Sequence, residues 1–154
     1  MKFFTREWAN GTLEEGESRR LERSYDLHLT SIMPKLPRDA QLLASEISIH
    51  DGLIKNIKVD RSTRTISLEL ICGDIQKGYF DLDILYRDAK LIEMDINTLE
   101  TLTKDQRTEL LYDEFEQLDN SKFIHRILLE PEGELAFSFD DLRIYTKPRK
   151  NRNL

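Results

Sequence analysis

The sequence predicts an α+β fold: a mainly antiparallel, strongly twisted sheet of about seven strands, with helices covering its apolar face. Three observations carry this. Residues 53–96 contain four successive runs in which apolar and polar side chains alternate. The loops between these runs are too short for parallel returns, which need a dozen or more residues. Apolar residues at helical spacing are concentrated in two longer stretches, 13–33 and 104–118, outside those runs.

The chain opens on three large aromatics, Phe3, Phe4 and Trp8. Terminal segments fray unless tied down, and these rings are large enough to anchor this one. Thr12 followed by Glu15 fits a capping box. The helix it opens is predicted over 13–33, with an apolar stripe of Leu21, Tyr25, Leu29 and Ile32 and acids in its first turns. Pro34 and Pro37 stop it. A short helix over 39–45 follows, burying Leu42 and Leu43.

The meander comes next. In 53–59, Leu53, Ile57 and Val59 oppose Ile54, Asn56 and Lys58; in 65–72, Ile66, Leu68, Leu70 and Cys72 share one face. In 79–86, Phe80, Leu82, Ile84 and Tyr86 oppose Asp81 and Asp83; in 90–96, Ile92, Met94 and Ile96 oppose Glu93 and Asp95. A slip of one residue would bury Asp81 and Asp83, so the register is firmly specified. Thr103 to Gln106 forms a second capping box, and a helix is predicted over 104–118 with Leu110, Leu111, Phe115 and Leu118 on one side. Strand patterns return at 123–129, 135–139 and 142–146, the first two joined by the turn Glu130-Pro131-Glu132-Gly133. Residues 147–154 carry four bases and no acid, lack apolar periodicity and are expected to be a disordered tail. Residues 1–146 are then a single globular domain.

With 154 residues, 39% hydrophobic and 34% charged, the chain can bury a core and remain soluble. No run approaches a membrane span, and the first residues lack the apolar segment of a signal peptide, so no membrane association is expected. One cysteine, Cys72, rules out an internal disulfide and suits a reducing compartment, which predicts a cytoplasmic location. The net charge of −6 is unevenly spread: residues 1–146 carry 29 acids and 19 bases. Such a body repels phosphate backbones, so nucleic-acid binding is not expected.

No nucleotide loop or nucleophile elbow is present. His50-Asp51 is the one doublet reminiscent of metal-dependent hydrolysis, but the further His and Asp ligands are missing, and Asp51-Gly52 reads as a turn before a strand. No metal or cofactor is therefore expected. Asp81 and Asp83 share a face at about 7 Å, near Glu69, yet a solvated face lacks the apolar pocket that catalytic carboxylates need. Cys72 reads as a core residue, in phase with Leu68 and Leu70, and His125, alternating with Phe123 and Ile127, reads as a half-buried structural histidine at a strand pair. The acidic run Asp113, Glu114, Glu116 and Asp119 is the candidate face for a basic protein partner.

Five segments together carry a resemblance. They are Met1-Lys2-Phe3-Phe4-Thr5-Arg6-Glu7-Trp8, Ile49-His50-Asp51-Gly52-Leu53-Ile54, residues 72–80, Leu110-Leu111-Tyr112-Asp113-Glu114-Phe115-Glu116 and Phe123-Ile124-His125-Arg126-Ile127-Leu128. In this order the chain resembles a family of uncharacterised bacterial proteins of unknown function. More distantly, His50-Asp51 leading into a strand meander is similar to small bacterial toxin-immunity proteins. Neither resemblance assigns a functional residue. Three readings follow: a non-enzymatic interaction module, immunity-like, whose acidic face docks a basic partner; a metal-dependent hydrolase centred on His50 and Asp51; and a small-ligand binder with Phe80, Tyr86, Phe137 and Phe139 lining a curled sheet.

Overall fold

The computed structural model describes residues 1–92, 108–119 and 121–153. The fold is α+β, with helices in the N-terminal third and one antiparallel sheet after them. The helices are α1 (Arg6–Ala9), α2 (Glu15–Ile32), a 3-10 turn (Met33–Lys35) and α3 (Arg38–Ser45). The strands are β1 (Gly52–Asp60), β2 (Thr65–Asp74), β3 (Gly78–Arg87), β4 (Lys90–Leu91), β5 (Glu109–Gln117), β6 (Phe123–Glu130), β7 (Glu134–Phe139) and β8 (Asp141–Arg149). Their order across the sheet is β4-β7-β6-β5-β1-β2-β3-β8, and the sheet is not closed. No described helix is long and apolar enough to cross a membrane.

The helices follow the apolar pattern rather than the capping one. On α2, Tyr25 and Ile32 are buried and Leu21 and Leu29 half-buried, as the stripe requires. Glu14, not Thr12, is the N-cap, and the Thr12 hydroxyl donates instead to the Glu7 carbonyl. On α3, Ala40 and Leu43 are buried while Leu42 is half-buried.

The meander β1-β2-β3 has the expected short antiparallel connections. Leu82, Ile84 and Tyr86 are fully buried, Asp83 is exposed and Asp81 half-buried. Gly73 enters the β2–β3 turn at φ 95°, where a Cβ would lie 2.1 Å from the Gly78 carbonyl oxygen. A bulge at Lys55 breaks the two-residue period of β1, so Ile54 rather than Leu53 joins Ile57 and Val59 on the core side. The expected fourth strand, 90–96, is seen as Lys90–Leu91, which pairs with β7; residues 93–96 lie outside the described part.

The helix expected over 104–118 is a correction. Residues 109–117 are strand β5, paired with β6; 104–107 lie outside the described residues. The cause is a second bulge, at Leu111, which has no register partner on β6. The extra residue puts Leu110 and Phe115 into the same core although they are an odd number of positions apart. Leu110, Leu111, Phe115 and Leu118 then imitate a helical period. The last strand also runs further than expected: residues 147–149 pair with Tyr79, Phe80 and Asp81 of β3. Arg149, at the end of the strand, pairs with Asp81 (2.8 Å), and the segment after it is tied back by Arg152 to Glu109 (3.0 Å).

Among the described residues, β5 pairs with β1 around Gly52 and Leu53. Beyond that point α2 stands where a strand would. The Phe115 amide donates to the Tyr25 hydroxyl (3.0 Å), and His28 Nε2–H donates to the Phe115 carbonyl (3.1 Å). At the other end of the sheet, β7 and β8 are separated in sequence by Asp140 alone, yet β7 lies beside β6 and β8 beside β3. The Asp140 amide donates to the Arg87 carbonyl (3.0 Å), so the corner is fastened to β3. On the outer side of β8, the Ile144 amide donates to Asp39 of α3 (3.1 Å), and Pro148, on the same side of the strand, has no N–H.

Candidate functional site

The acids singled out in the sequence sit on β5 and in the turn after it. A strand sends successive side chains to opposite faces, so they do not form one surface. Glu114 is 2% exposed and accepts the backbone amides of Lys2, Phe3 (3.0 Å) and Phe4 (3.2 Å). Glu116 is bridged by Lys2 and by Arg126 (3.3 Å). Burial alone would raise its carboxyl, but those two cations hold it below the usual range. Asp119 accepts the amides of Ser121 and Lys122, both at 2.8 Å, which keep its carboxyl low. These three acids hold the N-terminal segment and a turn.

Asp113 points the other way. Its Oδ2 accepts from His125 Nε2 at 3.0 Å. His125 is fully buried and stacked on Phe115, with centroids 4.3 Å apart and planes 4° from parallel. Its Nδ1 lies 2.8 Å from the Tyr86 hydroxyl. Burial, and then the Asp113 charge, push the Tyr86 phenol well above its ordinary value. The Asp113 carboxylate can only accept, so an imidazole proton sits on Nε2 and Nδ1 is left to pair with the Tyr86 hydroxyl. Asp113 acts similarly elsewhere. After burial, it is the next cause raising Tyr25, and the Cys72 thiol is pushed up to about 12 by burial and Asp113. At that value Cys72 is an inert core residue.

Asp113 also lines a pocket of about 380 Å³ between the N-terminal segment, α2, residues 43–50 and β5. Phe4, Tyr25, His50 and Tyr112 contribute rings to it. Phe4 is 4.8 Å from Tyr25 and 5.8 Å from Tyr112, and His50 is 5.1 Å from Tyr112, all between centroids. Trp8 backs this wall, its centroid 4.8 Å from those of both Phe4 and Tyr112. Glu46 is the second carboxylate of the lining, and among the described lining residues there is no lysine or arginine.

His50 is placed by the β5 bulge. The bulge removes Leu111 from the ladder, and His50 Nδ1–H donates to its carbonyl. Nε2 then sits 3.5 Å from Asp51 Oδ1, with both side chains about half exposed. Asp51 itself turns the chain at φ 58°, and Gly52 follows because a Cβ there would lie 2.8 Å from the Ile49 carbonyl oxygen. His50 and Asp51 also border a second groove of about 300 Å³ with Asp74, Lys77 and Phe80. Among the described residues, no three His, Cys, Asp or Glu side chains are grouped to hold a metal.

The remaining candidates are structural. Asp81 lies between Lys55 (2.9 Å) and Arg149 (2.8 Å); burial opposes its ionisation, and the two cations outweigh it. Glu69 is engaged by Asn56 and Lys58. Tyr86, Phe137 and Phe139, expected to border a ligand cavity, pack on one another, with Tyr86 4.9 Å from Phe137 and 5.6 Å from Phe139. Sequence reasoning missed Tyr25 and Tyr112 as site residues. Tyr25 was read only as part of a helical stripe, and Tyr112 was hidden by the helical reading of β5.

Comparison with protein-family models, with curated proteins and with solved structures gave no match.

Proposed function

We propose that this chain is a non-enzymatic interaction module that receives a positively charged group of a partner in the pocket beside Asp113. The observation that supports this is the pocket's make-up: a part-exposed carboxylate, a second carboxylate in Glu46 and four aromatic or imidazole rings. Carboxylates attract a cation by charge, and aromatic faces attract it by their quadrupole. The reading keeps a basic partner, and the immunity-like form of the idea, but moves the contact from a surface run to one pocket. Of the four acids singled out, only Asp113 belongs to it.

Trp8 is the sole tryptophan and touches two lining rings, so its emission reports on the pocket. A lysine- and arginine-rich peptide is expected to change that emission saturably, with affinity falling as salt rises. Asp113→Asn keeps an oxygen for His125 but removes the charge. It is expected to weaken binding by on the order of tenfold to a hundredfold, as loss of a charged hydrogen bond implies. Unchanged affinity in Asp113→Asn would remove the pocket from the proposal.

A further inference from the structure

We infer that the face of β3 and β8 turned away from the core binds single-stranded RNA, a function separate from the pocket beside Asp113. The basic C-terminal run carries it. By composition residues 147–154 stand apart as a tail, yet the fold builds Lys147 and Arg149 into β8. The β3–β8 register turns Leu142 and Ile144 toward the core and Arg143, Tyr145, Lys147 and Arg149 to the opposite face. Side chains on one face of a strand follow one another at about 6.8 Å. Tyr145 is 61% exposed and stands between Arg143 and Lys147 in that row. Tyr79 lies across from Arg149 and adds a second, half-buried ring, about 14 Å from Tyr145 by strand geometry.

Most acids of this face are answered by cations. Asp81 lies between Lys55 and Arg149, and Asp141 is met by Arg143 (3.3 Å) and Arg87 (3.9 Å). Lys147 and Lys150 are exposed and have no ion pair among the described residues, and Arg143 is 44% exposed. The net charge of −6 belongs to the whole chain; the nearest charges set the field at this face, since screening at physiological salt acts within about 8 Å. An exposed ring between free cations suits a single strand, whose bases stack on the ring while its phosphates lie against the cations. Asp83 then selects the sugar. It lies directly across from Tyr145, is exposed and has no partner among the described residues. A carboxylate there repels a phosphate but accepts a hydrogen bond from a ribose 2′-hydroxyl, the group that DNA lacks.

The test follows the fluorescence anisotropy of a labelled oligouridine of about ten nucleotides titrated with the full chain. Saturable binding is expected, with log affinity falling against log salt at a slope near about −2, the value for three phosphates neutralised on a single strand. The matching deoxyuridine oligomer is expected to bind about tenfold more weakly, one hydrogen bond to a charged group being absent. Tyr145→Leu is expected to weaken RNA binding by about tenfold, the loss of one stacked base. Lys147→Gln is expected to weaken it and to make the salt slope shallower by about 0.7. Asp83→Ala is expected to abolish the preference for RNA without weakening the binding of the deoxyuridine oligomer. All three side chains are exposed, so unchanged melting temperatures are expected to accompany these changes. Absence of binding at low salt overturns the inference, and so does equal affinity for the deoxyuridine oligomer. Full affinity in Tyr145→Leu, or displacement of the RNA by polyglutamate at matched charge, would show that charge alone is read and overturns it as well. None of these outcomes bears on the pocket beside Asp113.

Discussion

Glu114 shows what a single side chain can hold in place. A carboxylate with 2% exposure is tolerable only when its lone pairs are filled. Here the amides of residues 2–4 fill them, and Phe3 and Phe4 are thereby set against Tyr25. Glu114→Gln replaces one acceptor oxygen by a donor that faces those same amides. It is expected to cost about 1.5–3 kcal/mol, the range for hydrogen bonds to a charged group. Urea unfolding measures this, and an unchanged midpoint would show that the clamp adds nothing to stability. Turn carboxylates set the acid limit in the same local way. Hydrogen bonds from the Ser62 and Thr63 side chains, then from their amides, hold Asp60 at about 2. The unfolded carboxyl titrates near about 3.9. A carboxyl lowered in the folded state stabilises it above the unfolded value, and that contribution is lost as the pH falls through the folded one. Asp74 and Asp119 are lowered in the same direction by the amides of their own turns. The melting temperature is expected to be level above about pH 5 and to fall between about 4 and 2, with a shallower fall in Asp60→Asn. A circular-dichroism series across that range decides it; equal slopes would acquit Asp60.

Among the elements, β5 separates what the sequence expresses from what it hides. The β2 and β3 patterns were legible because each strand runs ten residues without a bulge, so parity alone names the buried set. β1 and β5 each carry one bulge, and each defeated a parity reading, by one position in β1 and by a whole element type in β5. A bulge has no fixed residue signature here: Lys55 and Leu111 are ordinary residues. The candidate site shared that fate. Asp113 was legible as a charged residue, but its partnership with His125 depends on a strand register that a helix would not have. The junction of α2 and β5 is testable on its own. Tyr25→Phe keeps the ring and removes the acceptor of the Phe115 amide. An orphaned buried amide is expected to cost about 1–3 kcal/mol. Hydrogen exchange at Phe115 should accelerate together with a lower urea midpoint. If exchange there is unaltered, α2 does not protect that edge.

At the scale of the whole molecule, one lysine ties three connections together. Lys122, after β5, lies 2.8 Å from Asp88 in the β3–β4 turn and 2.8 Å from Asp140 at the β7–β8 corner. Its ammonium is raised by the hydrogen bonds it donates to Asp140 and Asp88, and Asp88 is lowered mainly by Lys122. Lys122→Met would leave two neighbouring carboxylates facing each other. A lower melting temperature at low salt is expected, with the difference shrinking toward 1 M salt, where screening acts within about 3 Å. A difference that ignores salt would mean that the side chain acts through packing. The guarded outer side of β8 has a broader consequence. An open strand border is a template on which another chain can zip up, and a sheet of this kind risks polymerising through it. With one amide occupied by a helix carboxylate and another position unable to donate at all, that template is interrupted twice. Asp39→Ala combined with Pro148→Thr would restore the missing donors, and the protein is then expected to form fibrils or filaments at concentrations where the parent remains monodisperse.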